Sequence, residues 1–401
     1  MRPTSPSAAA PYGQRPLIRR SAIYDILPQF PTWFLDFGHA AAKVRFLRKL
    51  KYEYRQEQLG ACPQCGRDQT ISYNSCRNRH CPKCQNQARQ RWIAARQREL
   101  LTTRYFHVVF TLPHELQTLV LQNQSELYNL LFRTVAETLL EVARDPKHLG
   151  AEIGFFGILH TWGQNLLFHP HIHCVIPGGG LSPDRKQWIR PPYPFFLPVK
   201  VLGKVFRGKF VEGLRLAFRG NRLTFAGQIH YLSEAKNFSA FLRKLFRQDW
   251  VVYAKPAFGG PEQVVRYLGR YTHRVAISNH RLVSFDGNDV TFLWRDYAHG
   301  DKQKKMTVSS EEFIRRFLLH VLPKGFVRIR HFGFMANAQR SALLDICRGL
   351  LQTAKVVQLE ERADTPSRLC PKCRAPMTVV HRLKPAEIVW RFISICFADT
   401  S

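Results

Sequence analysis

Hydrophobic and polar positions divide the chain into segments of different period. Residues 17–58 carry apolar positions at mixed helical spacing, interrupted at Pro28 and Pro31, which predicts one or two helices leading into a cysteine-rich stretch. QNQARQRWIAARQRELL, just after Cys84, has neither Gly nor Pro and is rich in helix formers, so it predicts a helix. At Tyr105 the texture changes: YFHVVFTLP is a β-branched and aromatic run closed by proline, hence a strand, and Glu115 to Ala143 returns to a helical period. FFGILHTWGQ and HIHCVIPGGG predict two further strands, separated by a short turn containing His169 and Pro170. The proline-rich PPYPFFLP then leads into a basic helical stretch ending near Arg219. PEQVVRYLGRYTHRVA predicts a helix opening near Pro261, since proline is well tolerated in the first turn. Strands and a helix follow to about Phe334. Antiparallel-looking strands with inserted helices imply an α+β fold, a central antiparallel sheet with flanking helices, rather than a doubly wound parallel sheet.

Composition adds a partner. The 401 residues hold 60 Lys+Arg against 29 Asp+Glu, a formal charge of +31, and 45% are hydrophobic. The apolar fraction is ample for a packed core, which excludes wholesale disorder. Self-repulsion at this charge makes a polyanion the natural partner, with nucleic acid first and an anionic membrane second. No apolar run approaches the roughly 18 residues of a spanning helix, and MRPTSPSAAAPYGQRP lacks the apolar stretch of a signal peptide. The expected setting is the bacterial cytoplasm, with nucleoid association through DNA. The expected organisation is a tail and helical lead-in over 1–50, a zinc-binding module with a basic helix over 51–104, a main domain over 105–335, and a helical C-terminal tail with a Cys-x-x-Cys over 336–401.

Five of the ten cysteines cluster at Cys62, Cys65, Cys76, Cys81 and Cys84. In a basic cytosolic protein such clustering favours metal over disulfide. The two Cys-x-x-Cys knuckles, Cys62/Cys65 and Cys81/Cys84, suit one tetrahedral structural zinc, with Cys76 and His80 as alternates. Cys370 and Cys373 have only His381 and Cys396 after them, at irregular spacing, and read as a half-site. Between Cys76 and Arg104 lie eight Lys/Arg and one acid, Glu99. Arg77, Arg79, Lys83, Arg89, Arg91 and Arg96 are therefore candidate contacts to a DNA backbone.

His171-Ile172-His173 lies in a predicted strand, where residues i and i+2 share a face, so two imidazoles project side by side while Ile172 faces the core. Gln164, seven residues upstream, is placed to bring an amide oxygen to the same face across a hairpin. Two imidazoles and one oxygen make an open site suited to Mn²⁺ or Mg²⁺. Tyr267 and Tyr271 are i and i+4 in a predicted helix, surrounded by Arg266, Arg270, His273 and Arg274, a poor core and a good phosphate-binding face. GKVFRGKF fits the first part of a phosphate-binding loop, but Phe210 stands where Ser or Thr should hold Mg²⁺, so it is read as helix. Trp162 is a candidate for base stacking or for the core.

Taken together these strings resemble the two-tyrosine HUH transposases of rolling-circle insertion sequences, the IS91-like group. The resemblance runs from SYNSCRNRHCPKCQ through HVVFTLP, LHTWGQNLLFHPHIHCVIPGGGLS and FRGKF to YLGRYTHRVAISNHRL and RHFGF. It implies an HUH nuclease (Rep-like) domain preceded by a small zinc module, and cleavage of single-stranded DNA or hairpin ends through a 5′-phosphotyrosine. It makes His171 and His173 ligands of a catalytic divalent metal and Tyr267 and Tyr271 nucleophiles. It favours Gln164 as third ligand, with His160, His169 and Gln263 as alternatives. Competing readings are a plasmid replication initiator or relaxase of the same chemistry, and a zinc-containing DNA-binding regulator without catalysis.

Overall fold

A computed structural model describes residues 58–66, 68–71, 86–192, 194–256, 265, 269, 276–277, 281–286, 288–296, 299–352, 370 and 373–382. In chain order the strands and α-helices are β1 (Gln58–Ala61), β2 (Asp68–Ile71), α1 (Asn86–Arg98), β3 (Tyr105–Thr111), α2 (Gln117–Gln122), α3 (Gln124–Arg144), β4 (Gly154–Trp162) and β5 (Phe168–Pro177). A two-residue hairpin, β6 (Gly180–Leu181) and β7 (Trp188–Ile189), precedes α4 (Val199–Arg219), α5 (Ala235–Arg247) and β8 (Val252–Pro256). Then come β9 (Leu282–Phe285), β10 (Asp289–Asp296), β11 (Lys302–Ser309), α6 (Ser310–Leu318), β12 (Ile329–Gly333), α7 (Arg340–Leu350) and β13 (Thr378–Arg382).

The central sheet is five-stranded and antiparallel throughout, in the order β12-β4-β5-β3-β8. Its strands alternate faces with period two, and the two faces have different fates. Phe106, Val108 and Phe110 of β3, Phe155 and Leu159 of β4, and Ile172, Cys174 and Ile176 of β5 point into the larger core. There they meet the apolar stripe of α3 (Leu127, Leu131, Val135, Leu139) and that of α4 (Leu202, Phe206, Phe210, Leu214), both at helical spacing. Gly213 lets α4 approach α3 at Leu130, whose side chain occupies the place a Cβ would take.

The other face is covered over only part of its area. Phe156, Ile158 and Val175 pack with Tyr105, Phe334 and the α7 residues Leu343, Leu344 and Cys347, with Trp92 of α1 alongside. Trp92 meets Phe156 edge-on, ring centroids 5.8 Å apart. Farther along the same strands this face carries histidines. A third, smaller core lies under the β9-β10-β11 sheet, where α6 supplies Phe313, Ile314 and Phe317. Ser309 caps α6 by accepting the Glu312 N–H, the Ser-x-x-Glu pattern of a helix start.

The expected strand at Tyr105, the basic helices at 86–98 and 199–219 and the α+β class are all present. Two details differ. The long helix breaks at Asn123, whose side chain donates to the Leu119 carbonyl and the Thr224 carbonyl and accepts the Thr224 N–H, giving α2 and α3 in place of one element. The β4–β5 turn lies at 163–167, and His169 and Pro170 belong to β5. The pairing slips there, from His160↔His171 to Trp162↔Phe168, so β5 carries one extra residue opposite Thr161. A bulge is where a strand tolerates proline.

Candidate functional site

The register of the β4–β5 hairpin builds the site. His160 lies directly opposite His171, and His173 follows two residues on along the same face. The ligand-capable nitrogens of His160, His171 and His173 all lie within 4.8 Å of one another. Ile172, between the two β5 histidines, is fully buried in the opposite core, as the alternation requires.

The third histidine is one of the expected alternatives to Gln164. Gln164 sits in the turn beyond the last paired residues, and its backbone carbonyl accepts a hydrogen bond from Arg281. His160, in register with His171, occupies the cross-strand position instead. FFGILH is apolar on both faces up to the histidine, so the strand shows no alternation from which its register could be read. The His169 ring stands 5.2 Å from that of His171 but its nitrogens are outside the group of three; its carbonyl accepts from His171 Nδ1 at 2.6 Å. Gln263 lies outside the described residues.

Two further side chains support the cluster. His107 of β3 is on the same face, its Nε2 2.7 Å from His173 Nδ1, with the two rings stacked at 4.9 Å and 8°. Trp162 stacks on His160 at 4.9 Å and packs against the smaller core, so it is a wall of the site rather than an open stacking platform. Nothing in the local sequence singles out His107; only its odd position in β3, shared with Tyr105 and Val109, puts it on this face.

The electrostatics favour a cation. Burial holds His171 down to about 4 and pushes His160 and His173 well below the usual imidazole range, with mutual repulsion adding to the effect. All three are therefore neutral at pH 7, the state in which imidazole ligates. In His171 and His173 Nδ1 is engaged, by the His169 carbonyl and by His107, which leaves Nε2 as the nitrogen available for a metal.

Tyr267 and Tyr271, with Arg266, Arg270 and Arg274, lie outside the described residues. Val265, just before them, and Gly269, between the two tyrosines, are helical; Val265 is fully buried. Gly269 backs onto α1, where a Cβ would stand 2.5 Å from Ile93 Cγ1. Gly269 thus stands against α1, the helix whose Trp92 packs on the same face of the sheet as the histidines.

Of the candidate DNA contacts, Arg91 is exposed and Arg89 half-buried, while Arg77, Arg79 and Lys83 lie outside the described residues. Arg96 is not a free phosphate contact. Its guanidinium is held between His331 and Glu99, the latter at 2.8 Å, with Arg340 on the other side of Glu99 at 3.4 Å.

Among the described residues, Cys62 and Cys65 face Cys370 and Cys373. Cys81 and Cys84, with Cys76 and His80, lie outside the described residues.

Comparison with known proteins identifies the family. Residues 154–342 match the family model described as "Putative transposase", and residues 42–112 match the one described as "Transposase zinc-binding domain". The "Putative transposase y4qJ" of Sinorhizobium fredii (strain NBRC 101917 / NGR234) is 55% identical over 325 residues, covering 78% of this chain and 81% of that one. The "Transposase for insertion sequence element IS801" of Pseudomonas savastanoi pv. phaseolicola is 29% identical over 273 residues, covering 66% of this chain and 62% of that one. Among solved structures, the chain is similar to that of "The structure of TrwC complexed with a 27-mer DNA comprising the recognition hairpin and the cleavage site". That likeness, 14% identical with a TM-score of 0.22 over 62% of this chain and 74% of that one, is too loose to bear on the site.

Proposed function

Because the chain belongs to the IS91-like family of insertion-sequence transposases, we propose that it nicks and rejoins single-stranded DNA at the ends of an element through a 5′-phosphotyrosine. The observation that carries this reading is the convergence of His160, His171 and His173 on one face of the sheet, within the segment that matches the transposase family.

Three neutral imidazoles and no carboxylate form a donor set that fits Mn²⁺ better than Mg²⁺, which prefers oxygen. A divalent cation bound there would polarise the scissile phosphate and offset its charge. His107 and the His169 carbonyl hold two of the rings in place. Tyr267 and Tyr271 are assigned as nucleophiles by the family resemblance and their i, i+4 spacing. The phenol oxygen of one tyrosine bonds to phosphorus, the bond from phosphorus to the 3′ oxygen breaks, and the phenol proton is taken up by that oxygen. The phosphotyrosine conserves the bond energy, so no nucleotide cofactor is required. The second tyrosine, or the 3′-OH of another strand, then resolves it. Arg266, Arg270 and Arg274 are suited to the scissile phosphate, and Arg91 to the backbone farther away. Among the described residues no helix is long and apolar enough to cross a membrane, and the proposed setting is the nucleoid.

A labelled single-stranded oligonucleotide of the element's end, incubated with the full chain and Mn²⁺, tests the assignment. His160→Ala, His171→Ala and His173→Ala should each abolish nicking and leave binding nearly intact, because phosphate contacts carry most of the affinity. Gln164→Ala should nick normally. A regulator would bind without nicking, and full activity in His160→Ala together with loss in Gln164→Ala would overturn the three-histidine site.

A further inference from the structure

Two Cys-x-x-Cys turns from opposite ends of the chain meet face to face. Cys62 Sγ lies 3.4 Å from Cys373 Sγ, Cys65 Sγ lies 3.6 Å from Cys370 Sγ, and all four sulfurs are within 4.8 Å of one another. The turns are the same backbone device. Gly66 donates its N–H to the Cys62 carbonyl at 2.9 Å with φ of 68°, and Arg374 donates to the Cys370 carbonyl at 2.8 Å with φ of 60°. Each turn therefore ends one residue after its second cysteine in the left-handed region. Glycine adopts that region freely, whereas arginine does so at a cost, which needs a reason. The strands behind the turns are joined too: β1 pairs antiparallel with both β2 and β13, with Ala61 opposite Asp68 and Thr378.

These distances distinguish among the uses of four thiols. A disulfide requires about 2.05 Å between sulfurs. Four thiolates at about 2.3 Å from a tetrahedral zinc stand about 3.8 Å apart, close to the observed spacing. Burial of free thiols does not account for the group, because Cys373 is exposed while Cys62 and Cys370 are each only 1% exposed.

We propose that Cys62, Cys65, Cys370 and Cys373 hold one zinc ion in a four-thiolate site that fastens residues 370–382 to the zinc-binding region near the start of the chain. Half of this ligand set lies far beyond residue 112, where the match to the zinc-binding family domain ends. Each thiol gives up its proton to solvent on binding, and with four protein ligands no position is left for catalysis. The C-terminal segment is then a working half of the zinc module rather than a tail. The site is independent of the tyrosine chemistry proposed above.

Differential alkylation of the full wild-type chain tests the site without relying on a variant that folds. Purified protein is treated with iodoacetamide before and after chelation, each cysteine is followed by peptide mass spectrometry, and released zinc is titrated alongside. The expected result is that Cys370 and Cys373 are protected, the exposed Cys373 included, and become reactive together with Cys62 and Cys65 as zinc leaves. Cys370→Ser/Cys373→Ser should carry one zinc fewer per chain than wild type. Alkylation of Cys370 and Cys373 while zinc stays bound would overturn the proposal. So would a disulfide between the two turns in the unreduced protein, or an unchanged zinc content in the double variant.

Discussion

Replacing His107 separates a ring that positions a ligand from the ligands themselves. Were His173 to ligate the proposed metal through Nε2, its Nδ1 would carry the proton, and His107 Nε2, 2.7 Å away, would accept it with the His107 proton on Nδ1. Burial holds His107 down to about 4, which keeps it neutral and able to accept at pH 7. Losing a partner of this kind lowers metal affinity about 10–100-fold, or about 1.4–2.8 kcal/mol. His107→Ala should show that loss when Mn²⁺ is titrated into metal-free full-length protein and the free ion is read by electron paramagnetic resonance. Nicking should recover as Mn²⁺ is raised, because the three ligands remain. His107→Gln, whose amide oxygen can accept the same proton, should bind more nearly as wild type does. The reasoning is refuted if His107→Ala binds Mn²⁺ within about twofold of wild type while His171→Ala does not bind, since the 2.7 Å contact would then do nothing for the ligand.

Arg91 and Arg96, two turns of one basic helix, should behave oppositely. Arg91→Ala should weaken DNA binding and reduce the salt slope of the affinity by about 1, whereas Arg96→Ala should lower stability by about 1–3 kcal/mol, read by thermal unfolding, by leaving His331 without this partner and Glu99 with Arg340 alone. Gly269→Val should force apart the contact with Ile93, lowering the melting temperature through an overpacking cost of about 1–3 kcal/mol, and adding Ile93→Ala should restore part of it. His331 is held down to about 4 by burial and by the neighbouring Arg96 and Arg340 charges, against about 6.5 in an unfolded chain. Between those values the unfolded chain takes up a proton that the folded protein refuses, so stability should fall as pH drops from about 6.5 to about 4. His331→Gln should flatten that decline in unfolding curves recorded across the range.

What could be read from the sequence depended on how locally each feature is determined. The His-x-His pair was legible because a strand alternates, and Ile172 between the histidines is as buried as alternation demands. The place of His160 was not, because Pro170 reads as a turn residue and becomes a bulge only when β4 is laid beside β5; with the turn at 163–167, His160 pairs with His171. His107 reaches the site from β3 through pairing with β5, a long-range contact with no local mark. Cys370 and Cys373 read as a half-site for the same reason, since their partners lie near the other end of the chain. The excess after Cys76 likewise divided only once packing was known, with Arg91 exposed and Arg96 tied to the sheet.

The central claim is that a tyrosine of this chain becomes joined to DNA. The full chain, incubated with Mn²⁺ and an end-sequence single strand, should give an SDS-stable adduct whose tryptic peptide carries the nucleotide on Tyr267 or Tyr271. The adduct should disappear in Tyr267→Phe/Tyr271→Phe. An adduct that survives that double variant, or wild-type protein that binds the strand tightly with no adduct formed, would contradict the account.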